Sequence, residues 1–122
     1  MKPAIKRGGV YWVPDRLLAL PPDYDRKWHP RRAVVVVSGD AEHENEDWPI
    51  VLVAPCSSQS TRKTRYCVKI GQGVANMQKK CWVRVAAVQP IAKDDLGDYV
   101  GQLPVHLLED IYFNLAEYTG QI

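Results

Sequence analysis

The segment Ala33-Val34-Val35-Val36-Val37 contains no polar residue, and an unbroken β-branched run of that length predicts a strand buried on both faces. Ile50-Val51-Leu52-Val53-Ala54 reads the same way, opened by Pro49 and closed by Pro55. Val10-Tyr11-Trp12-Val13 follows the turn signal Arg7-Gly8-Gly9 and is rich in strand formers. Tyr66, Val68 and Ile70 alternate with Cys67 and Lys69, which predicts a half-exposed strand ending at Gly71-Gln72-Gly73. Cys81-Trp82-Val83-Arg84-Val85 forms a further strand whose alternation is less clean. The period then changes. Val105, Leu108, Ile111, Tyr112 and Leu115 recur at helical spacing, with Pro104 at the expected first helical position and Gly120 as a stop.

The segments between these elements read as loops. Residues 14–31 contain Pro14, Pro21, Pro22 and Pro30, so they form a long loop with room for one helical turn over Arg16 to Leu20. Long loops in small domains are often functional. Asp40 to Asp47 is an acidic, solvated loop, Ser57 to Thr64 is polar and basic, and Asp94 to Gln102 turns with Gly97 and Gly101 as breakers. Five or more short strands followed by one helix predict a mainly β chain. The architecture is a small, partly open antiparallel barrel with a C-terminal helix. At 122 residues the chain suits a single domain spanning 1–122.

Composition narrows the class. Apolar residues are 46% and charged residues 25%, an ordinary globular balance. No apolar run approaches the roughly 20 residues of a membrane helix. Met1-Lys2-Pro3 leads into Lys6-Arg7 and not into an apolar signal core, so a cytoplasmic protein without membrane contact is expected. Cys56, Cys67 and Cys81 contain no CxxC pair, and His43 and His106 do not complete a zinc quartet. The cysteines therefore read as small buried hydrophobes, and no metal or other cofactor is expected.

Net charge is only +2, yet its distribution is uneven. From Trp48 to Lys93 there is no Asp or Glu, while eight Lys and Arg side chains fall there. Residues 1–36 hold eight basic and three acidic side chains. The acids concentrate in Asp40 to Asp47 and after Lys93. A basic middle on a nearly neutral chain suits one face for a polyanion, the alternative being charge pairing across the barrel.

Familiar catalytic signatures are absent: no P-loop, nucleophile elbow, zinc-protease helix or dinucleotide glycine fingerprint occurs. What remains is a set of Arg, Ser and His residues at predicted strand ends. Such a set suits phosphodiester cleavage in RNA, where the substrate's own 2′-hydroxyl is the nucleophile. The protein then has only to position the backbone and stabilise charge on the phosphorane. The planar donor fork of Arg matches phosphate oxygens and keeps its charge. Among nearby side chains, His29 alone is of a type suited to proton transfer at neutral pH.

Arg7-Gly8-Gly9-Val10-Tyr11-Trp12-Val13 resembles the opening strand of the MazF/PemK family of toxin endoribonucleases, and Arg32-Ala33-Val34-Val35-Val36-Val37-Ser38 resembles its second strand. Val51-Leu52-Val53-Ala54-Pro55-Cys56-Ser57-Ser58-Gln59-Ser60 is similar to the third strand and its Thr-bearing end. Trp82 to Leu96 resembles the following strand and turn, and Gly101-Gln102-Leu103 and the last helix match the usual ending. The resemblance implies an SH3-like barrel, a homodimer, cleavage of single-stranded RNA without a metal, and a cognate antitoxin that lays a segment across the RNA groove. It puts the catalytic Arg on Arg32, the hydroxyl residue on Ser57 and a later Arg on Arg84. The acidic residue usual two positions beyond that Arg is replaced by Ala86. The Gly-Ser-Glu-Gln-like stretch usual before the second strand is replaced by Tyr24-Asp25-Arg26-Lys27-Trp28-His29-Pro30-Arg31, where nearness in sequence to Arg32 makes His29 or Lys27 the candidate substitute for the proton-transfer group.

The groove is thus expected between the 14–31 loop, the 57–65 loop and the strand bearing Arg84. Arg32, Ser57, Arg84 and His29 are its catalytic candidates. Lys27, Trp28, Arg31, Ser58, Gln59, Arg62, Lys63 and Arg65 are candidates for RNA binding. Each has a plainer reading: Arg32 beside Arg31 as a solvated strand edge, Ser57 and Ser58 closing a turn, Arg84 pairing with the 40–47 acids, Trp28 capping the core. Two rival functions use the same features. One is a non-catalytic or gyrase-poisoning relative; the other is an SH3-like module that binds an acidic partner.

Overall fold

The computed structural model describes residues 4–122; Met1, Lys2 and Pro3, the start of the charged N-terminus read above, lie outside it. Among the described residues seven antiparallel strands form a curled sheet, a half-barrel closed at one side by the C-terminal helix. The strands are β1 (Gly9–Pro14), β2 (Arg31–Val36), β3 (Ile50–Ser57), β4 (Val68–Ile70), β5 (Cys81–Val83), β6 (Gln89–Ala92) and β7 (Tyr99–Gln102). The order is β4-β5-β3-β2-β1-β7, with β6 also paired to β3. The helices are α1 (Asp40–Glu44) and α2 (Val105–Tyr118). This is the mainly β barrel with a terminal helix that the sequence predicts. No helix among the described residues is long and apolar enough to cross a membrane.

The valine run of β2 is buried on both faces because the sheet carries two cores. Ala33 and Val35 join Val10, Ala54, Val83 and Ile111 on the face that α2 covers. Val34 and Val36 join Tyr11, Val13, Val51 and Val53 on the other. Period-2 alternation alone sorts these residues between the clusters. In α2, Leu108 and Ile111 are buried and Leu115 packs against the core, while Val105, the first helical residue, is 70% exposed. Pro104 precedes the helix by one position and Gly120, at φ +81°, ends it.

Several boundaries differ from the sequence reading. Pro55 does not close β3, which continues to Ser57; the Pro55 carbonyl accepts a 2.8 Å bond from Arg84 N. At that point the outer edge of β3 passes from β6, paired with Ile50 to Val53, to β5, paired with Cys56 and Ser57. The strand from Tyr66 shortens to Val68–Ile70, and the strand from Cys81 stops at Val83 before a 3-10 turn at Val85–Ala87. The loop after Pro14 begins with a 3-10 turn at Asp15–Leu17 in place of a turn over Arg16 to Leu20. The acids from Asp40 are not all loop. Asp40 and Glu42 occupy the first turn of α1, where a helix favours negative charge, and Lys93 Nζ caps its far end. That amine donates to the carbonyls of Glu42 at 2.7 Å and Asn45 at 2.9 Å.

Two strands, β6 and β7, come from segments that read as turn or linker. In β7, Gly101 acts by fit and not as a breaker. A Cβ there would lie 2.3 Å from the Ala75 carbonyl oxygen and 2.6 Å from its carbon. The bare glycine lets the 74–77 turn lie against the sheet, with Ala75 and Asn76 in left-handed conformations (φ +53° and +61°). Because the obstructing atoms are backbone, Gly101→Ala is expected to cost about 1–3 kcal/mol. Chemical denaturation of the variant beside wild type measures this; equal midpoints would show that the turn yields freely.

Candidate functional site

The site is the polar end of the second core. On β1 the inward positions Tyr11 and Val13 are followed, two residues on, by Asp15; on β2 Val36 and Val34 are followed by Arg32. On β3 the same face carries Val51, Val53 and then Ser57. Val34 pairs with Pro55, so the register continued by two residues sets Arg32 opposite Ser57. One alternation in three strands therefore delivers a carboxylate, a guanidinium and a hydroxyl to the same edge.

Asp15 is fully buried and lies at the centre of this cluster. Its Oδ1 accepts from Arg32 Nε at 2.7 Å and Arg26 Nη2 at 2.6 Å, and its Oδ2 accepts from His29 N at 2.9 Å and Arg32 Nη2 at 3.3 Å. Burial alone would push the carboxyl up. The bonds from Arg32, the His29 N–H and Arg26 outweigh it and hold the group down at about 2. Asp15 is thus shared by two guanidiniums, of which Arg26 also meets the exposed carboxylate of Asp23 at 3.5 Å. Arg32, 8% exposed, also donates through Nη1 to the Cys56 carbonyl at 3.0 Å. It is therefore no solvated strand edge. The other N–H of Nη1 is the part of its fork left for a ligand.

Above this cluster a pocket is lined by Leu20, Arg26, Lys27, His29, Arg32, Ser57, Ser58, Gln59, Arg62 and Arg84. Among the described residues the lining holds five Lys or Arg side chains and no acid. All four catalytic candidates meet there, together with Lys27, Ser58, Gln59 and Arg62. Arg31 lies in an adjoining groove, its guanidinium 4.2 Å from the centre of the Trp12 ring. Trp28, Lys63 and Arg65 are not in the pocket lining. Trp28 is 57% exposed and does not cap the core; the Arg26 guanidinium stacks on it at 3.8 Å. Ser57 is buried, and its Oγ accepts from Gln59 N at 3.2 Å, the turn-closing bond of the plainer reading. Its hydroxyl proton remains available to the pocket.

Arg84 pairs with no acid of the 40–47 segment; its Nη2 donates to the Pro21 carbonyl at 3.4 Å. Burial pushes its guanidinium down; Cys67 opposes this, and the nearby charges of Arg62, Arg32 and Arg26 add to the downward push. A group held charged against such neighbours gains from an anion. Arg62 donates to the Pro22 carbonyl at 2.9 Å and pairs with Asp25, which ties the 18–30 loop to the 57–65 loop. Cys56 and Cys81 are buried in the first core. The hydrogen bond between their sulfurs, then burial, pushes the Cys56 thiol up, which keeps it protonated.

The sequence reading misses Asp15 and Arg26. Arg26 carries a side chain only 4% exposed and bonds the Leu18 carbonyl at 2.8 Å as well as Asp15. Asp15 has a sequence signal, since it continues the Tyr11, Val13 alternation into a position where an acid must find cations. Its depressed carboxyl contributes stability that is complete above about pH 4 and lost as pH falls through about 2, worth about 2 kcal/mol. Asp15→Asn is expected to cost about 3–5 kcal/mol at neutral pH, because Arg32 loses its counter-charge and Arg26 keeps only the exposed Asp23. It should also flatten the stability profile between about pH 4 and 2, with urea denaturation at each pH as the measurement. A variant that unfolds in parallel with wild type across that window would remove Asp15 from this role.

No sequence relative among curated proteins matches the chain. Several solved structures share its fold. An endoribonuclease in complex with its cognate antitoxin from Mycobacterial species superposes with a TM-score of 0.67 at 21% identity, covering 96% of this chain and 94% of that one. MazE-MazF from Deinococcus radiodurans gives 0.71 at 12% identity, covering 98% of each chain. The Mycobacterium tuberculosis toxin MazF-mt6 gives 0.69 at 15% identity, covering 92% and 96%. The family model for the PemK-like, MazF-like toxin of type II toxin-antitoxin systems matches residues 6–119. With nearly all of its length accounted for by that match, the chain belongs to the PemK-like, MazF-like toxin family of type II toxin–antitoxin systems.

Proposed function

We propose that the chain is an endoribonuclease that cleaves single-stranded RNA by promoting attack of a 2′-hydroxyl on the adjacent phosphorus. The observation that supports this reading is the convergence of Arg32, Arg84, Ser57 and His29 on one acid-free pocket. The 2′-oxygen forms its bond to phosphorus as the 5′-oxygen leaves, giving a 2′,3′-cyclic phosphate and a free 5′-hydroxyl. Between these states the phosphorane carries extra negative charge on its equatorial oxygens. Arg84 and the remaining N–H of Arg32 Nη1 meet that charge, and the Ser57 hydroxyl donates to one of its oxygens. His29, fixed by its backbone bond to Asp15, is the proton-transfer group, with Lys27 beside it.

On this reading Ser58, Gln59, Arg62, Lys63 and Arg65 track one flank of the strand, Arg31 and Trp28 bound the other side of the loop, and binding weakens steeply with salt. The protein acts as a homodimer in the cytoplasm, and a cognate antitoxin covers the same basic face.

Labelled single-stranded RNA incubated with the protein in EDTA tests the reading. Arg84→Ala is the cleaner probe, because Arg32→Ala also takes one of the two guanidinium partners from the buried Asp15. Loss of one charge-stabilising donor is expected to slow cleavage by about 10²–10³-fold. Ser57→Ala should slow it less. His29→Ala should alter the pH profile of cleavage, and an unchanged profile would exclude His29. Wild-type protein that leaves diverse RNAs intact would overturn the assignment.

A further inference from the structure

A strand held at its scissile phosphate has two flanks, and the residues around Arg62 can follow only one of them. A second, larger concavity adjoins the pocket and shares His29, Arg32 and Ser58 with it. Its far wall is the turn that leads into β5, carrying Asn76, Gln78, Lys79 and Lys80. Among the described residues no Asp or Glu lines this groove, whereas Arg31, Arg32, Lys79 and Lys80 do.

The two rims differ in how their cations are engaged. Arg62 already holds Asp25 and the Pro22 carbonyl, and Arg65 donates to the Tyr66 hydroxyl. Among the described residues Lys79 and Lys80 are exposed and paired with no carboxylate; Lys80 reaches only the Trp82 ring, at 5.9 Å. Unpaired ammonium groups give up no protein partner when a phosphate arrives, so their contribution to binding is undiscounted.

The wall is also rigid where it needs to be. Gly73 N donates to the Met77 carbonyl at 2.7 Å and Met77 N to the Val74 carbonyl at 3.0 Å, closing the turn. Asn76 Nδ2 donates to the Val100 carbonyl at 3.0 Å, which leaves its Oδ1 to accept from a ligand. Left-handed backbone at Ala75 and Asn76, held in place by the bare Gly101, is strain that the surroundings enforce. Amide side chains at Asn76 and Gln78 offer the donor and acceptor pairs that read unstacked base edges.

We infer that this groove is the subsite for the second flank of a single-stranded RNA, with Lys79 and Lys80 on its phosphates and Asn76 and Gln78 on its bases. The inference rests on the RNA-cleaving reading above, and supplies what that reading lacks: the path of the strand beyond the scissile bond. It makes Lys79 and Lys80 affinity determinants for one flank alone, outside the lining of the pocket that takes the reacting phosphate.

Fully 2′-O-methylated oligonucleotides, which cannot be cut, separate binding from chemistry. A short core is lengthened by four nucleotides on either its 5′ or its 3′ side, and each form is titrated against wild type and a Lys79→Ala/Lys80→Ala double variant across a salt series. Wild type is expected to gain affinity from both extensions. The double variant should lose the gain from one side only, on the order of tenfold at about 0.1 M salt, with a log–log salt slope shallower by about 1.4. Its cleavage of a short RNA confined to the pocket should stay at the wild-type rate. If both gains persist, or both vanish together, the subsite is wrong while the cleavage reading stands. If wild type binds none of the oligonucleotides, the cleavage reading fails and takes the subsite with it. A glutamate-rich peptide run in parallel detects a protein ligand: weakened peptide binding with intact RNA binding would reassign the groove and overturn the proposal.

Discussion

Burying a carboxylate at the end of a valine core is costly, and in this chain the cost decides the arrangement of everything around it. Asp15 can stay ionised there only because Arg32 and Arg26 both reach it and the His29 N–H completes its hydrogen bonding. Such a group is poor evidence for stability as such, since apolar residues of similar volume often serve a fold as well or better. What it provides is position. Arg32 cannot swing on its stem while three of its nitrogens are held by Asp15 and the Cys56 carbonyl. A guanidinium fixed in advance meets developing charge without first having to be ordered.

That fixed point is delivered by the sheet. Because β2 is buried on both faces, it has no freedom to slip, and a one-residue shift would carry Arg32 into the opposite core and Ala33 into the pocket. β3 provides the matching constraint. Its edge passes from β6 to β5 at Pro55, where the ring offers no N–H and the carbonyl binds Arg84 N. The backbone bond at Pro55 thus sets where Arg84 leaves the sheet, two residues from the buried Ser57. The register of two strands and one proline fix three of the four groups assigned to chemistry.

Much of this can be read from the chain, and what cannot has a physical cause. Continuous or alternating apolar runs revealed β1, β2, β3 and α2, because burial leaves a periodic trace. β6 and β7 leave almost none. Gln89-Pro90-Ile91-Ala92 has a single buried residue, Ile91, and Tyr99-Val100-Gly101-Gln102 looks like a turn because its glycine answers to a distant backbone. The short helix α1 depends on Lys93, 48 to 51 positions away from the carbonyls it caps, which no local window contains. The site follows the same division. Arg32 and Ser57 were legible as strand ends and through the family's pattern, whereas Arg26 lies in a proline-bounded loop without period. Its burial is created by Asp15, Leu18 and Trp28 together.

The loop between β1 and β2 lacks the polar stretch usual in the family, but its physical task is recognisable. Asp15 holds its two ends through Arg26 and the His29 N–H, while Arg84 and Arg62 hold its middle through the carbonyls of Pro21 and Pro22. The contact to Arg84 is long and goes to a neutral acceptor. An anionic phosphate oxygen offers a charge-assisted bond roughly twice as strong as a neutral one. The ends of the loop are therefore bound to a buried charge that no substrate can reach, and its middle is bound to arginines that a phosphate can recruit. A segment built in that way keeps His29 in place whether or not the pocket is filled. It yields only where the strand must pass.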